Sequence, residues 1–157
     1  MNKLFDKGWQ FYRGDINGAE AIDFNISEWR EVDLPHDWSI EDIPGRDSPF
    51  DSASAGGRGT GYAVGGTGWY AKEFVLDKSL AEKRIDILFE GIYMNSDVWL
   101  NGFHLGNHPY GYTSFHYDIT DHLHFDGTPN RLVVEVKNEG ANCRWYSGSG
   151  IYRHVRL

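Results

Sequence analysis

The chain has 157 residues, 40% hydrophobic and 24% charged, with 15 Lys and Arg against 23 Asp and Glu for a net charge of −8. That suffices for one ordinary domain with its own core, while the acidic balance, at pI ≈ 5.2, argues against the basic surface of a nucleic-acid binder. No apolar run approaches the ~18–20 residues of a membrane span, and a single cysteine, Cys143, cannot form a disulfide within the chain.

The N-terminus lacks the apolar core of a signal peptide. The expectation is a soluble chain, periplasmic or extracellular if a leader has been removed and cytoplasmic otherwise, with no membrane or nucleic-acid partner. Nineteen glycines beside 15% aromatic residues suggest strands joined by tight turns, and period-two alternation dominates the pattern.

In chain order, a short strand is predicted at Trp9–Arg13. Residues 41–68 hold Pro44, Pro49 and repeated glycines, and a loop beyond about 12–15 residues is usually functional or disordered. This one is predicted to order against something else. Residues 69–76 read as a strand, then 84–90, with Ile85, Ile87 and Phe89 on one face. The run Ser96–Leu100 enters Asn101-Gly102 and leaves through 103–105. Asn-Gly between such runs predicts a hairpin with a type I′ turn, whose two central residues both need positive φ. Residues 113–118 form a further strand, and 131–137 another, with Leu132, Val134 and Val136 on one face. Residues 138–150 form a second polar loop. The last predicted strand, 151–157, reaches the final residue without a turn, which predicts a longer parent chain. About eight strands and no long amphipathic helix give an all-β fold of two antiparallel sheets packed face to face.

Nucleophile and phosphate motifs are missing. Gly56-Gly57-Arg58-Gly59-Thr60-Gly61 lacks the Gly-Lys-Ser/Thr ending of a P-loop and the G-x-G-x-x-G spacing, no serine sits in a G-x-S-x-G elbow, and Cys143 has no sequence neighbour suited to activating its thiol. His104, His108, His116, His122 and His124 cluster with Asp118 and Asp121, but Gly102, Gly106 and Pro109 break the helix that would align the first two. They read as strand and turn histidines, so no metal and no cofactor are predicted. A glycosidase needs two carboxylates roughly 5–5.5 Å or 6.5–9.5 Å apart; none is marked here, and no catalytic residue is assigned. Glu90 reads as the solvated end of a strand, Asp97 as exposed or as a cap of the hairpin. Arg144-Trp145-Tyr146 combines planar groups that bind sugar hydroxyls with a flat ring that suits C–H patches, although an aromatic at 145 also suits a core.

An ordered set of segments carries a resemblance. It comprises Leu34-Pro35-His36-Asp37-Trp38, Gly68-Trp69-Tyr70, Phe89-Glu90-Gly91-Ile92, Val98-Trp99-Leu100-Asn101-Gly102, Leu105-Gly106-Asn107-His108, Gly111-Tyr112-Thr113-Ser114-Phe115, Asp118-Ile119-Thr120, and Arg144-Trp145-Tyr146-Ser147-Gly148-Ser149-Gly150-Ile151-Tyr152-Arg153. Together they resemble the N-terminal sugar-binding domain of glycoside hydrolase family 2, which includes β-galactosidases, β-glucuronidases and β-mannosidases.

The resemblance implies a jelly-roll β-sandwich of the galactose-binding-domain type, with residues 1–157 as one domain at the start of a longer glycosidase. An immunoglobulin-like domain and a (β/α)₈ barrel with both catalytic glutamates would follow, cleaving β-glycosides with retention, so that this piece alone is inactive. The loop before Gly150-Ile151-Tyr152-Arg153 would reach the barrel's pocket, making Arg144 and Trp145 substrate contacts. No aspartate stands at 142–144 to take the substrate-binding role that some relatives give one. The same segment looks more like the β-galactosidase branch. His36 and Asp37 are further substrate-binding candidates, either approaching the pocket or fixing the long loop. Asn101-Gly102 is expected as turn geometry, Trp69 and Trp99 as packing, and Arg153 as the partner of a carboxylate inside the sandwich. The partners implied are a β-galactoside or related glycan and the downstream domains. A stand-alone carbohydrate-binding module or lectin, and a purely structural interaction domain, are the competing readings.

Overall fold

The computed structural model describes residues 3–143 and 146–157. Among them run nine strands: β1 (Trp9–Arg13), β2 (Arg30–Val32), β3 (Gly66–Phe74), β4 (Asp86–Phe89), β5 (Ser96–Leu100), β6 (Phe103–His108), β7 (Phe115–Asp118), β8 (Asn130–Asn138) and β9 (Val155–Arg156). Every pairing is antiparallel. A six-stranded sheet has the order β2-β1-β3-β8-β5-β6, and a three-stranded sheet the order β7-β4-β9. The remaining regular pieces are single 3₁₀ turns, so no helix among the described residues is long and apolar enough to cross a membrane.

The alternation read from the sequence decides which faces meet. Trp9 and Phe11 of β1, Tyr70 of β3, Val98 and Leu100 of β5, and Leu132, Val134 and Val136 of β8 turn inward from the large sheet. Ile85, Ile87 and Phe89 meet them from the small sheet, with Val155 and Ile119. Each such side chain taken from water contributes roughly 1.5–3 kcal/mol, which makes this shared layer the principal source of stability.

The large sheet is also covered outside. Ala19 and Trp29, from the segment between β1 and β2, pack with Trp69, Ala71 and Val133 in a second buried cluster. Trp69 and Trp99 stack at 5.9 Å between centroids, as packing residues. Arg131 donates to the Phe24 carbonyl at 2.6 Å and pairs with Glu73 at 2.6 Å, pinning this cover to the sheet.

The hairpin forms as expected. Asn101 and Gly102 both have positive φ, 51° and 81°, so the turn twists with its strands. Three expectations change. The final strand shortens to Val155–Arg156. Arg153 lies exposed with its guanidinium 5.3 Å from the Tyr152 ring centroid; Arg156 instead pairs with a carboxylate, Glu90 at 2.5 Å. Strand register explains this, since Arg156 stands opposite Leu88 of β4, within reach of Glu90, while Arg153 precedes the strand. Glu90 is therefore ion-paired rather than freely solvated.

Candidate functional site

The site is built by two stretches far apart in sequence. Residues 36–38 run alongside 149–151, with the His36 amide donating to the Ile151 carbonyl at 2.8 Å and the Trp38 amide to the Ser149 carbonyl at 3.1 Å. Asp37 fastens them. Its Oδ1 accepts from the amides of Ser39 at 2.8 Å and Ser149 at 2.7 Å, the first capping the 3₁₀ turn Trp38–Ile40. Its Oδ2 accepts from the Tyr146 hydroxyl at 3.1 Å. A Cβ at position 148 would lie 2.1 Å from Oδ2, so glycine there is what lets the carboxylate approach. Burial, then the Asp37 charge and hydrogen bond, pushes the Tyr146 phenol up, keeping it a donor.

His36 lies beneath this clamp with its side chain 9% exposed. Nδ1 sits 2.7 Å from the Tyr70 hydroxyl and Nε2 2.9 Å from Glu41. Burial lowers the imidazole's pKa, and Glu41 opposes that only in part. A neutral ring with its proton on Nε2 satisfies both contacts: it donates to Glu41 and accepts from Tyr70, whose phenol burial pushes far up. For Glu41 burial works upward, but hydrogen bonds from Arg30 and His36 outweigh it and hold the carboxyl below its usual range; Arg30 donates to both oxygens, at 2.7 and 2.8 Å.

The long loop is tied into the same network. Ser39 bonds the Val64 carbonyl at 2.9 Å and the Ser149 hydroxyl at 2.6 Å, and the Trp38 indole donates to the Gly65 carbonyl at 3.2 Å. Asn138, at the end of β8, donates to Ser149 at 2.7 Å. The loop also orders on itself, through the Phe50–Ala63 bridge and the turn Gly57–Thr60. Between it and Asn138, Glu139, Gly140 and Ser147 lies a cavity of about 320 Å³, lined also by Asp51, Ser54, Thr60 and Gly65.

Arg144 and Trp145 lie outside the described residues. Their neighbours are placed: Asn142 donates to Asn138 at 2.5 Å, Cys143 lies 4.0 Å from the Tyr112 hydroxyl, and Tyr146 is held by Asp37. His36 and Asp37 come together with the 146–151 segment, and their polar atoms are engaged within the chain. The other histidines are dispersed: His104 and His108 on β6, His116 on β7, His122 and His124 in the segment beyond it, and His154 beside Asp6 at 2.8 Å. His104 pairs with Asp97 at 2.8 Å, His108 bonds Thr113 at 3.1 Å, and His122 stacks on Phe103. No three candidate ligands among the described residues are grouped to hold a metal ion. Glu41 was not identified from sequence, and Tyr70 and Tyr146 stood there only as members of motifs, with no partner assigned. Tyr146 and Asp37 are 109 positions apart, and no local pattern links them.

Residues 6–157 match the family model described as "Glycosyl hydrolases family 2, sugar binding domain". The chain belongs to glycoside hydrolase family 2. Among the curated family 2 relatives, beta-galactosidase BoGH2A of Bacteroides ovatus is 48% identical over 154 residues, covering 98% of this chain and 17% of that protein. A beta-glucuronidase of Formosa agariphila is 33% identical, covering 98% of this chain and 16% of its own length. A crystal structure of a family 2 member from Bacteroides cellulosilyticus superposes with a TM-score of 0.95 at 54% identity, covering 99% of this chain and 20% of that one. The chain thus spans about a fifth or less of the family 2 proteins compared with it, and the sandwich described above is the family's N-terminal domain fold.

Proposed function

We propose that this chain forms one wall of the substrate pocket in a retaining β-glycosidase acting on β-galactosides, with the two reacting carboxylates supplied by a barrel elsewhere in the same polypeptide. In this reading Arg144 and Trp145 contact the sugar, the guanidinium bonding hydroxyls and the indole covering a C–H face. His36 and Asp37 serve the substrate by holding the segment that carries those two residues. The observation that carries the reading is the sugar-binding family match over residues 6–157, joined to the 48% identity with a beta-galactosidase. The clamp supports it physically: residues that bind a transition state must be held rigidly by their neighbours, and Asp37 fastens the segment directly after Trp145.

The test uses the full-length protein that carries this chain, assayed on aryl β-galactosides and aryl β-glucuronides. The expected result is preference for the galactoside and, for Arg144→Ala, a loss of about tenfold or more in kcat/KM, as removal of a charged hydrogen bond worth about 1.5–3 kcal/mol gives. A preference for the glucuronide would move the protein to the other branch named among its relatives. Unchanged kinetics in Arg144→Ala would remove that residue from the pocket. The 157-residue chain by itself is expected to cleave neither substrate.

A further inference from the structure

Beside the candidate site two exposed tyrosines, Tyr110 and Tyr112, pack against a buried third, Tyr93, and present an aromatic surface that the clamp does not use. The Tyr93 and Tyr112 rings meet edge to face at 5.3 Å, and those of Tyr110 and Tyr112 at 5.6 Å. Tyr110 and Tyr112 are 56% and 50% exposed, whereas Tyr93 is buried. The buried ring is the support. A Cβ on Gly111 would stand 2.2 Å from the Tyr93 ring, so glycine between the two exposed tyrosines lets the backbone lie directly on it. The Tyr152 hydroxyl then donates to the Gly111 carbonyl at 2.7 Å.

The surface adjoins the residues that precede Arg144 and Trp145 in sequence. The Tyr93 hydroxyl donates to Asn142 at 3.3 Å, and the Tyr112 hydroxyl lies 4.0 Å from the Cys143 sulfur, so both hydroxyls reach the residues that precede Arg144. Burial pushes the Tyr93 and Tyr112 phenols up, so both stay neutral hydroxyls, beside the amide of Asn142. Rigid aromatic faces with hydroxyl and amide edges match a neutral pyranose, which offers C–H patches to a ring and hydroxyls to its rim. A ligand meeting side chains already held in place spends little conformational entropy.

We infer that Tyr110 and Tyr112 form an accessory stacking subsite for a neutral β-linked oligosaccharide, binding sugar units beyond the one that is cleaved. The inference rests on the pocket-wall reading for its place in the substrate path, yet its binding test needs no hydrolysis. Saturation-transfer difference NMR on the 157-residue chain with β-1,4-linked galactotetraose is expected to show transfer to pyranose ring protons. In Tyr110→Ala/Tyr112→Ala the apparent affinity should fall about tenfold, and in Tyr110→Phe/Tyr112→Phe it should stay within about twofold, since the rings remain. Should the double alanine variant unfold, Tyr110→Ala alone carries the same prediction, because more than half of that residue is already in solvent. No transfer in the wild-type chain, or transfer that survives loss of the rings, overturns the subsite even if the full-length protein hydrolyses galactosides. Transfer that depends on the rings upholds it even if the full-length protein prefers another glycoside.

Discussion

At Asn101 the backbone takes φ 51°, a left-handed conformation that asparagine tolerates better than most residues. Its side chain also stitches two neighbours to the turn. Nδ2 donates to the His122 carbonyl at 2.7 Å and to Asn130 at 2.9 Å, while Oδ1 accepts from the Arg131 amide at 2.8 Å. Asn101→Ala keeps the awkward φ and removes all three bonds. The expected cost in a urea-unfolding experiment is at least about 2 kcal/mol, since each buried polar group left unsatisfied costs about 1–3 kcal/mol. Asn101→Gly relieves only the backbone and should recover less than half of that loss. Equality of the glycine variant with wild type would mean that the side-chain bonds contribute nothing. The turn was legible in sequence because its φ requirement is local, whereas the bonds to residues 122, 130 and 131 were not, since they depend on where other elements pass.

Between elements, Asp37 is the corresponding feature. It caps its own 3₁₀ turn and clamps a segment 112 residues away. Asp37→Ala removes three bonds to a carboxylate and should lower the melting temperature by at least about 5 °C, at roughly 2–4 °C per kcal/mol for a chain of this size. Asp37→Asn retains an acceptor for the two amides and should lose less; calorimetry on the two variants checks the order. The strands themselves were largely readable, because alternation with period two is imposed by each strand's own geometry. β2, of three residues, is too short to leave such a trace, and β9, of two, lies within the longer strand read at 151–157. The 41–68 loop read as irregular because its anchors, Val64 and Gly65 against Ser39 and Trp38, are tertiary.

For the molecule as a whole, acidification tests the buried His36 network. Burial lowers this histidine's pKa below the usual 6.5, so below that value the unfolded chain binds a proton more readily than the folded one. The contribution is complete above about pH 6.5 and is lost as pH falls from there toward the folded-state pKa. Glu41 acts lower down, its depressed carboxyl contributing above its unfolded pKa, about 4.3–4.5, and losing that as pH falls further. Melting temperatures of wild type and His36→Gln between pH 8 and 5 should diverge in slope below about pH 6.5, with wild type the steeper; parallel curves would remove His36 from the acid response. By itself the sequence determined the all-β class, the inward faces of the main strands, the hairpin turn and the family, because each is written in local periodicity, local φ demands or contiguous motifs. Only the tertiary structure decided that Arg156 rather than Arg153 meets a carboxylate, that His36 and Asp37 hold the 146–151 segment, and that Tyr93, Tyr110 and Tyr112 share one surface. Those arrangements depend on contacts between elements that are not neighbours in the chain, which local periodicity and local φ demands do not record.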